Sequence, residues 1–172
     1  KYTDEEVISR FGIPDPQMIR RELPSEAYDR VLAEYHAHYR GGHYIVRPFA
    51  GVDEMLRALR ERHVPIGLMT GKGKLSATIT LRELGWSKMF GAIVTGEDVP
   101  NQKPDPTGVL RVAERLQVAA QTCAFVGDAP VDILAGKNAR MLSVAAGWHP
   151  VYANELKALK PVQVGDTIWA QV

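Results

Sequence analysis

The sequence of 172 residues contains a single cysteine, Cys123, and no apolar run that approaches the roughly 20 residues a membrane span requires. One thiol supports neither a disulfide framework nor a thiolate metal site, and it fits a reducing, cytoplasmic compartment. The formal net charge is +1, so no excess of one sign attracts nucleic acid or an anionic membrane. With 45% hydrophobic and 24% charged residues, the composition is that of a globular chain of one domain, or of one domain with a small insertion.

The chain changes organisation near residue 47, and the block before it is predicted to be all helix and loop. A helix is expected over residues 3–11, because Thr3 is a suitable cap and acids follow it. The prolines of residues 13–24 favour irregular or short-helical structure. A second amphipathic helix is expected from Ser25 to about residue 39, ended by the glycine pair at 41–42.

From residue 47 onward, helical and extended patterns alternate. Helices are predicted over 51–62, 75–84, 107–116 and 132–138, and strands over 65–69, 92–94, 123–126 and 142–146. The strands at 65–69 and 123–126 are apolar runs and are expected to be buried. The tail is predicted to hold one short helix after residue 154 and an edge strand near 162–164. Strands that alternate with helices predict an α/β fold with a doubly wound, Rossmann-like parallel sheet.

Two acids follow the strand predicted at 123–126. Asp128 comes directly after the glycine that ends the strand, and Asp132 lies at the start of the next helix. In open α/β sheets ligands bind outside the carboxyl ends of the strands, and two carboxylates there suit a hard divalent cation. Alternatively, Asp128 fills a turn position and Asp132 caps the helix. These residues alone leave both interpretations open.

Two other segments carry groups suited to phosphate. Thr70 and Gly71 follow the strand at 65–69, where a hydroxyl and a glycine amide can bind a phosphate oxygen, although Thr70 can equally cap the next helix. Lys103 lies in a proline-rich loop that enters a helix, which fixes an unusual cation on a rigid loop, whereas most loop lysines are simply solvated. Thr70, Lys103 and Asp128 are expected to lie together, because the carboxyl ends of parallel strands meet at one edge of a sheet.

Thr70, Lys103 and the pair Asp128 and Asp132, each after a successive strand, resemble the second, third and fourth motifs of the haloacid dehalogenase-like hydrolase superfamily. Within it, the chain is similar to the phosphoglycolate phosphatase-like branch, whose segment returning from cap to core resembles residues 47–53. The resemblance implies a small helical cap, here a partial one over residues 1–46, on a Rossmann-like core over residues 47–172.

The first motif of that superfamily, Asp-x-Asp-Gly-Thr, does not occur in this sequence. In the superfamily its first Asp attacks phosphorus and its second is the general acid and base; here Asp4 and Asp15 follow no apolar strand. The resemblance places the missing strand between those at 65–69 and 123–126, so we expect the sheet to be interrupted there. Each buried, unpaired backbone group costs about 1–3 kcal/mol. We therefore expect the sequence to be an incomplete record of a longer protein, inactive as it stands.

For the intact protein, the resemblance implies a Mg²⁺-dependent phosphatase that hydrolyses a small phosphorylated metabolite through an aspartyl-phosphate intermediate. Asp128 would bind Mg²⁺ directly, and Asp132 would hold a metal-bound water or orient Lys103. Lys103 would neutralise the phosphate, while Thr70 and the Gly71 amide would bind a non-bridging oxygen.

Three alternatives stay open beside the phosphatase. A metal-independent dehalogenase is disfavoured because it would have no use for the acids at 128 and 132. A phosphomutase of the superfamily usually shows adjacent acids where this chain has Asp128-Ala129. A non-catalytic relative that lost the first motif and binds a ligand or partner would have little reason to retain the residues Thr70, Lys103, Asp128 and Asp132.

Several polar residues of the helical block and its surroundings are given minor roles. His36 and His38 are expected on different helix faces, and a metal site shared with His43 is disfavoured. His36→Ala is expected to be nearly silent, as a surface-helix change. The arginines at 20–21 are expected to be solvated, and the lysines at 72 and 74 are weaker candidates for extending the phosphate site.

Overall fold

The computed structural model describes residues 3, 6, 12–147, 152–161 and 163–165. The Thr3 hydroxyl accepts a hydrogen bond from the Glu6 amide at 3.3 Å, and the Glu6 carboxylate accepts one from the Thr3 amide at 2.8 Å. This reciprocal arrangement confirms the predicted helix cap, while most of that first helix lies outside the described residues. The rest of the N-terminal block is helical, with α1 over Asp15–Glu22, α2 over Ser25–Gly42 and a 3₁₀ turn over His43–Ile45.

The remainder of the chain alternates helices and strands as predicted. Helix α3 spans Val52–Glu61, β1 Gly67–Met69, α4 Lys74–Glu83, β2 Ala92–Val94, α5 Thr107–Arg115, β3 Ala124–Gly127, α6 Pro130–Asn138, β4 Leu142–Ala146, α7 Ala153–Ala158 and β5 Gln163–Gly165. Single 3₁₀ turns precede the loop to α5 and the strand β3, over Gly96–Asp98 and Ala120–Thr122. The α/β alternation follows from the sequence because each element is specified by a local hydrophobic period.

All the strand pairs within the described residues are parallel. Strand β1 pairs with β2, with Gly67 opposite Ala92. Strand β3 pairs with β4, and β4 with β5, so that β5 lies at an edge as expected for the tail. Parallel strands joined by helices give the predicted Rossmann-like architecture, in which the loops after each strand meet at one edge.

The predicted interruption of the sheet is confirmed within the described residues, where β1 and β3 belong to separate sheets of two and three strands. One hydrophobic cluster nevertheless joins the two sheets. Met69, Val94 and Val109 form part of its buried centre, and Phe125 and Met141 pack against it from the other sheet. The two sheets therefore share a core, although no described strand connects them by backbone hydrogen bonds.

The expectation that the strand at 123–126 is buried is wrong. The Val126 side chain is 46% exposed, and Ala124 is exposed as well. Phe125 points the other way, toward α6, where a Cβ on Gly136 would lie 3.4 Å from its Cβ atom. Ala124 and Val126 therefore lie on an open face of β3, whereas Phe125 lies on the face that α6 covers.

Helix α6 carries Asp132 and is firmly anchored. Ile133 is fully buried and packs with Ala145 of β4 and Leu156 of α7. Burial of such a side chain stabilises a fold by about 1.5–3 kcal/mol, so the first turn of α6 has a well-defined position. Among the helices that the structure describes, none is both long and apolar enough to cross a membrane.

Candidate active site at the carboxyl ends of the strands

The loops that follow β1 and β2 lie against each other at the carboxyl edge of their sheet. The Thr70 amide donates to the Val94 carbonyl at 3.0 Å and so extends the strand pairing by one bond. The Gly96 amide donates to the Lys72 carbonyl at 3.0 Å. These two bonds fix the position of residues 70–73, which we call the phosphate loop because of the role proposed for it below.

The Thr70 side chain is oriented within the phosphate loop. Its hydroxyl oxygen accepts a hydrogen bond from the Lys72 amide at 3.2 Å. An oxygen that accepts in this way keeps its own hydrogen free to donate to a ligand. The Thr70 hydroxyl does not cap α4. The amides at the start of that helix, those of Gly73 and Lys74, donate instead to the carboxylates of Asp15 and Glu97. The helix-cap alternative for Thr70 is therefore not the arrangement found.

Lys103 forms the closest ion pair of the site. Its ammonium lies 2.6 Å from the Asp132 carboxylate, and the two side chains are only 15% and 6% exposed. The second Asp132 oxygen accepts the Ala129 amide at 3.0 Å, at the start of α6. Asp132 thus caps the helix and orients Lys103 at the same time. With so little water around the pair, removal of either partner would leave a buried charge without compensation.

Gly127 makes the close approach of Asp132 to β3 possible. A Cβ at position 127 would lie 2.2 Å from the Cβ of Asp132 and 2.6 Å from one of its carboxylate oxygens. Only a glycine leaves this space free, so the Gly-Asp sequence that ends β3 has a steric origin. The turn that carries Asp128 is therefore packed directly beside the carboxylate that holds Lys103.

The loop around Lys103 is held on both sides, as expected for a rigid loop. The Gln102 amide group donates to the Gly96 carbonyl at 2.9 Å, and the Asn138 amide group donates to the Pro104 carbonyl at 3.0 Å. The start of α5 also touches the end of β1, because a Cβ on Gly108 would lie 2.5 Å from the Met69 sulfur. These contacts bring together the segments that follow β1, β2 and β3.

Asp128 is exposed at the end of β3 and carries a carboxylate, which is a hard oxygen donor. No group of three or more His, Cys, Asp or Glu side chains that could hold a metal ion is present among the described residues. Mg²⁺ is commonly bound by one or two carboxylates, with water and substrate phosphate as the other ligands, so it requires no such group. The donor chemistry of the turn that carries Asp128 is therefore of the kind that Mg²⁺ accepts.

Neighbouring cations are engaged elsewhere. Lys74 lies 2.9 Å from the Asp98 carboxylate, and Lys72 lies over the ring of Tyr39 at 5.3 Å. Burial raises the pKa of Asp98, but the hydrogen bonds from Thr95 and the charge of Lys74 outweigh it and lower the pKa to about 2. Lys74 thus stabilises an ionised carboxylate of the β2 loop, which makes it a poor candidate for extending a phosphate site.

The histidines of α2 lie on different faces of the helix, as expected, but His36 is not at the surface. His36 and His38 do lie on different faces, with His38 exposed. His36 is buried, however, and its Nε2 atom lies 2.9 Å from the Asp15 carboxylate. The expectation that His36 is a surface residue remote from the site is therefore wrong. The periodic signal was present, since His36 follows Leu32 by one helical turn on the predicted apolar face.

Comparison with known proteins gives consistent matches. Residues 1–146 match the family model described as haloacid dehalogenase-like hydrolase. The chain is 39% identical over 100 residues to a phosphoglycolate phosphatase of Xanthomonas campestris pv. campestris, covering 58% of the chain and 45% of that protein. It is 30% identical over 175 residues to the putative pyrophosphatase PpaX of Caldanaerobacter subterraneus subsp. tengcongensis, covering 98% of the chain and 77% of that protein.

A solved structure shows the same fold. The beta-phosphoglucomutase of Clostridium difficile superposes with a TM-score of 0.75 at 26% identity, covering 92% of this chain and 73% of that one. These matches confirm the resemblance read from the motif residues and the Rossmann-like α/β fold. The chain spans less than half the length of the phosphoglycolate phosphatase that it matches.

Proposed function

Because the chain belongs to the haloacid dehalogenase-like hydrolase family, we propose that in the intact protein it acts as a Mg²⁺-dependent phosphatase on a small phosphorylated metabolite. The observation that carries the proposal is the Lys103–Asp132 pair. It holds a nearly buried ammonium beside the turn of Asp128, at the edge of the sheet where ligands bind in such folds.

Phosphoryl transfer depends on positioning and on neutralising the charge of the phosphoryl oxygens. In the proposal Lys103 supplies the positive charge, and Asp132 fixes the direction in which its ammonium points. The Thr70 hydroxyl, which keeps its hydrogen free, and the Gly71 amide donate to a non-bridging oxygen.

The residues present would hold Mg²⁺ through the Asp128 carboxylate, while Asp132 would hold a metal-bound water or orient Lys103. The ion, when bound, would draw negative charge from the phosphoryl oxygens. Lys103 shares that task from the side of α6, and its charge would keep a neighbouring carboxylate ionised. Electrostatic stabilisation of this kind is worth most in a site that excludes water.

The proposed reaction proceeds through an aspartyl-phosphate. A carboxylate oxygen attacks phosphorus, the bond from phosphorus to the ester oxygen breaks, and the leaving oxygen takes a proton from a second acid. Water then gives a proton to that second residue and attacks phosphorus, the bond from phosphorus to the aspartate oxygen breaks, and inorganic phosphate and the free carboxylate are released. The interruption between β1 and β3 falls where the family resemblance places the strand that carries both of these aspartates.

The helical block over residues 1–46 is proposed to be the cap that covers the site on the core over residues 47–172. Residues 12–16 support this role because they lie against the phosphate loop: a Cβ on Gly71 would be 3.0 Å from the Gly12 carbonyl oxygen. A cap in this position would exclude water and select the leaving group.

The test is phosphate release by the intact protein from a panel of phosphate monoesters, with Mg²⁺ or with a chelator. Phosphoglycolate comes first in the panel, and pyrophosphate, a phosphoanhydride, is tested beside it, because relatives carry the names phosphoglycolate phosphatase and putative pyrophosphatase. We expect turnover of at least one monoester that depends on Mg²⁺. Lys103→Ala is expected to lower turnover by about a hundredfold or more, a loss that extra Mg²⁺ does not restore. The matched control is Lys88→Ala, at an exposed lysine outside the site.

Asp128→Asn removes one negative charge and nearly preserves shape, so weaker Mg²⁺ binding and a large loss of activity are expected. Full activity of Asp128→Asn in the presence of a chelator would exclude the metal-assisted mechanism. A panel without any phosphate release, from a protein that is folded and binds inorganic phosphate, would favour a non-catalytic ligand-binding protein instead.

A further inference from the structure

A buried carboxylate of the helical block reaches into the phosphate loop. Asp15, at the start of α1, is only 5% exposed. One of its oxygens accepts the Gly73 amide at 2.8 Å, and the other lies 2.9 Å from the Nε2 atom of His36. A buried carboxylate is costly unless it is fully hydrogen-bonded, so this arrangement requires both partners.

The contact joins segments that are remote in the sequence. Gly73 is the last residue of the phosphate loop, and residue 15 lies 58 positions earlier. The loop is tied to the core through the Thr70–Val94 and Gly96–Lys72 backbone bonds, and Lys72 also lies over the ring of Tyr39 of α2. Asp15 adds a direct hydrogen bond from the helical block to the backbone of the loop.

Three glycines of the core, Gly71, Gly73 and Gly96, are in close contact with residues 12–16. A Cβ on Gly73 would lie 2.7 Å from the Pro16 side chain and 2.9 Å from the Asp15 carboxylate, and one on Gly96 would lie 2.5 Å from the Pro14 side chain. A Cβ on Gly71 would lie 3.0 Å from the Gly12 carbonyl oxygen. No side chain fits at these positions without moving the segment, so the segment and the loop are packed as one unit.

A simple helix cap would not need this construction. The exposed Glu97 carboxylate already accepts the next amide, that of Lys74, and an exposed acid caps a helix adequately. Asp15 is instead buried, comes from another part of the fold and is itself held by a histidine. The charge of Asp15 also acts on its surroundings, since burial and then this charge raise the pKa of Tyr35.

We propose that Asp15 is a positioning residue for the phosphate loop and that His36 holds its carboxylate in place. The inference rests on the function proposed above, in which Thr70 and Gly71 bind the phosphate. Asp15 touches no reacting atom; it fixes the Gly73 amide and through it the direction of the Thr70 hydroxyl and the Gly71 amide.

The test compares Asp15→Ala with Asp15→Asn in the intact protein, because Asn can still accept the Gly73 amide and bond to His36. Asp15→Ala is expected to raise KM for a phosphate monoester, and the inhibition constant of inorganic phosphate, each by about tenfold, with kcat changed less than about threefold. Asp15→Asn is expected to restore both constants to within about threefold of the original protein. Hydrogen exchange at the Gly73 amide should be faster in Asp15→Ala than in the original protein, but not in Asp15→Asn.

His36→Ala leaves the Asp15 carboxylate in place but removes its support, so it is expected to raise the same two constants by a smaller factor. The matched control, His38→Ala on the exposed face of the same helix, is expected to change neither. If Asp15→Ala fails to fold, Gly73→Ala replaces it, because the added methyl group displaces Asp15 and Pro16. It should raise the same constants.

Unchanged KM and phosphate inhibition in folded Asp15→Ala would overturn the inference, as would equal effects of His36→Ala and His38→Ala. Those outcomes leave the proposed function standing, provided that Lys103→Ala is still inactive. Absence of phosphate release by the unmodified protein would instead overturn the proposed function.

Discussion

Replacement of Asp132 by alanine would remove two bonds at once, the ion pair with Lys103 and the cap on the Ala129 amide. The ion pair measures 2.6 Å between side chains that are 15% and 6% exposed, so little water is available to replace it. A hydrogen bond to a charged group contributes about 1.5–3 kcal/mol to stability, and a helix cap about 1 kcal/mol. We therefore expect Asp132→Ala to lower the free energy of unfolding by about 3 kcal/mol.

The assay is chemical and thermal unfolding followed by circular dichroism. For a chain of this size, a loss of about 3 kcal/mol corresponds to a decrease in Tm of about 6–12 °C. Asp132→Asn retains an acceptor for the Ala129 amide but lacks the charge that pairs with Lys103, and its loss is expected to be intermediate. Asp29→Ala, at an exposed acid of α2, is the matched control and should change stability by less than about 0.5 kcal/mol.

A double-mutant cycle with Lys103→Met isolates the ion pair from the cap. Direct contact predicts a coupling energy above about 1 kcal/mol between positions 103 and 132. If the free energy of unfolding of Asp132→Ala lies within about 0.5 kcal/mol of that of the original protein, the pair makes no net contribution to stability. The argument that the pair fixes the Lys103 ammonium is then refuted.

Two further predictions concern the residues that surround the site. Gly127→Ala should destabilise the fold by about 2 kcal/mol or more, because its Cβ would lie 2.2 Å from that of Asp132; Gly41→Ala, where nothing lies within 4 Å, is the control and should be neutral or stabilising in urea unfolding. Burial raises the pKa of Asp98, but the Thr95 hydrogen bonds outweigh it and lower the pKa to about 2 from 3.8. The contribution of ionised Asp98 to the free energy of unfolding is thus present above pH 3.8 and is lost as pH falls toward 2. In Asp98→Asn, the free energy of unfolding should therefore decrease less steeply as pH is lowered over that range.

The order of helices and strands could be read from the sequence because each depends on neighbouring residues. A buried strand such as β2 and an amphipathic helix such as α5 show their period over a few positions. The exposure of Val126 could not be read in this way. Whether a face of a strand is covered depends on which elements pack on that face in the folded chain, and the local apolar run does not specify this.

The candidate site was predictable to the extent that its residues follow strands directly. Of the roles considered for Asp132, helix cap and orientation of Lys103 match its hydrogen bonds, because one carboxylate oxygen bonds to Lys103 and the other to the Ala129 amide. Its role in metal binding stays a prediction. The Asp15–His36 pair was missed because its contact with Gly73 joins distant parts of the chain. The burial of His36 was readable from helical spacing, but the choice of Asp15 as its partner was not.

The central claim is that Thr70, Gly71 and Lys103 together bind one phosphate group, and a crystal structure of the intact protein with inorganic phosphate or tungstate tests it most directly. The account predicts a single anion within about 3 Å of the Thr70 hydroxyl, the Gly71 amide and the Lys103 ammonium. An anion bound elsewhere, or one that touches the phosphate loop while Lys103 points away from it, would contradict the account.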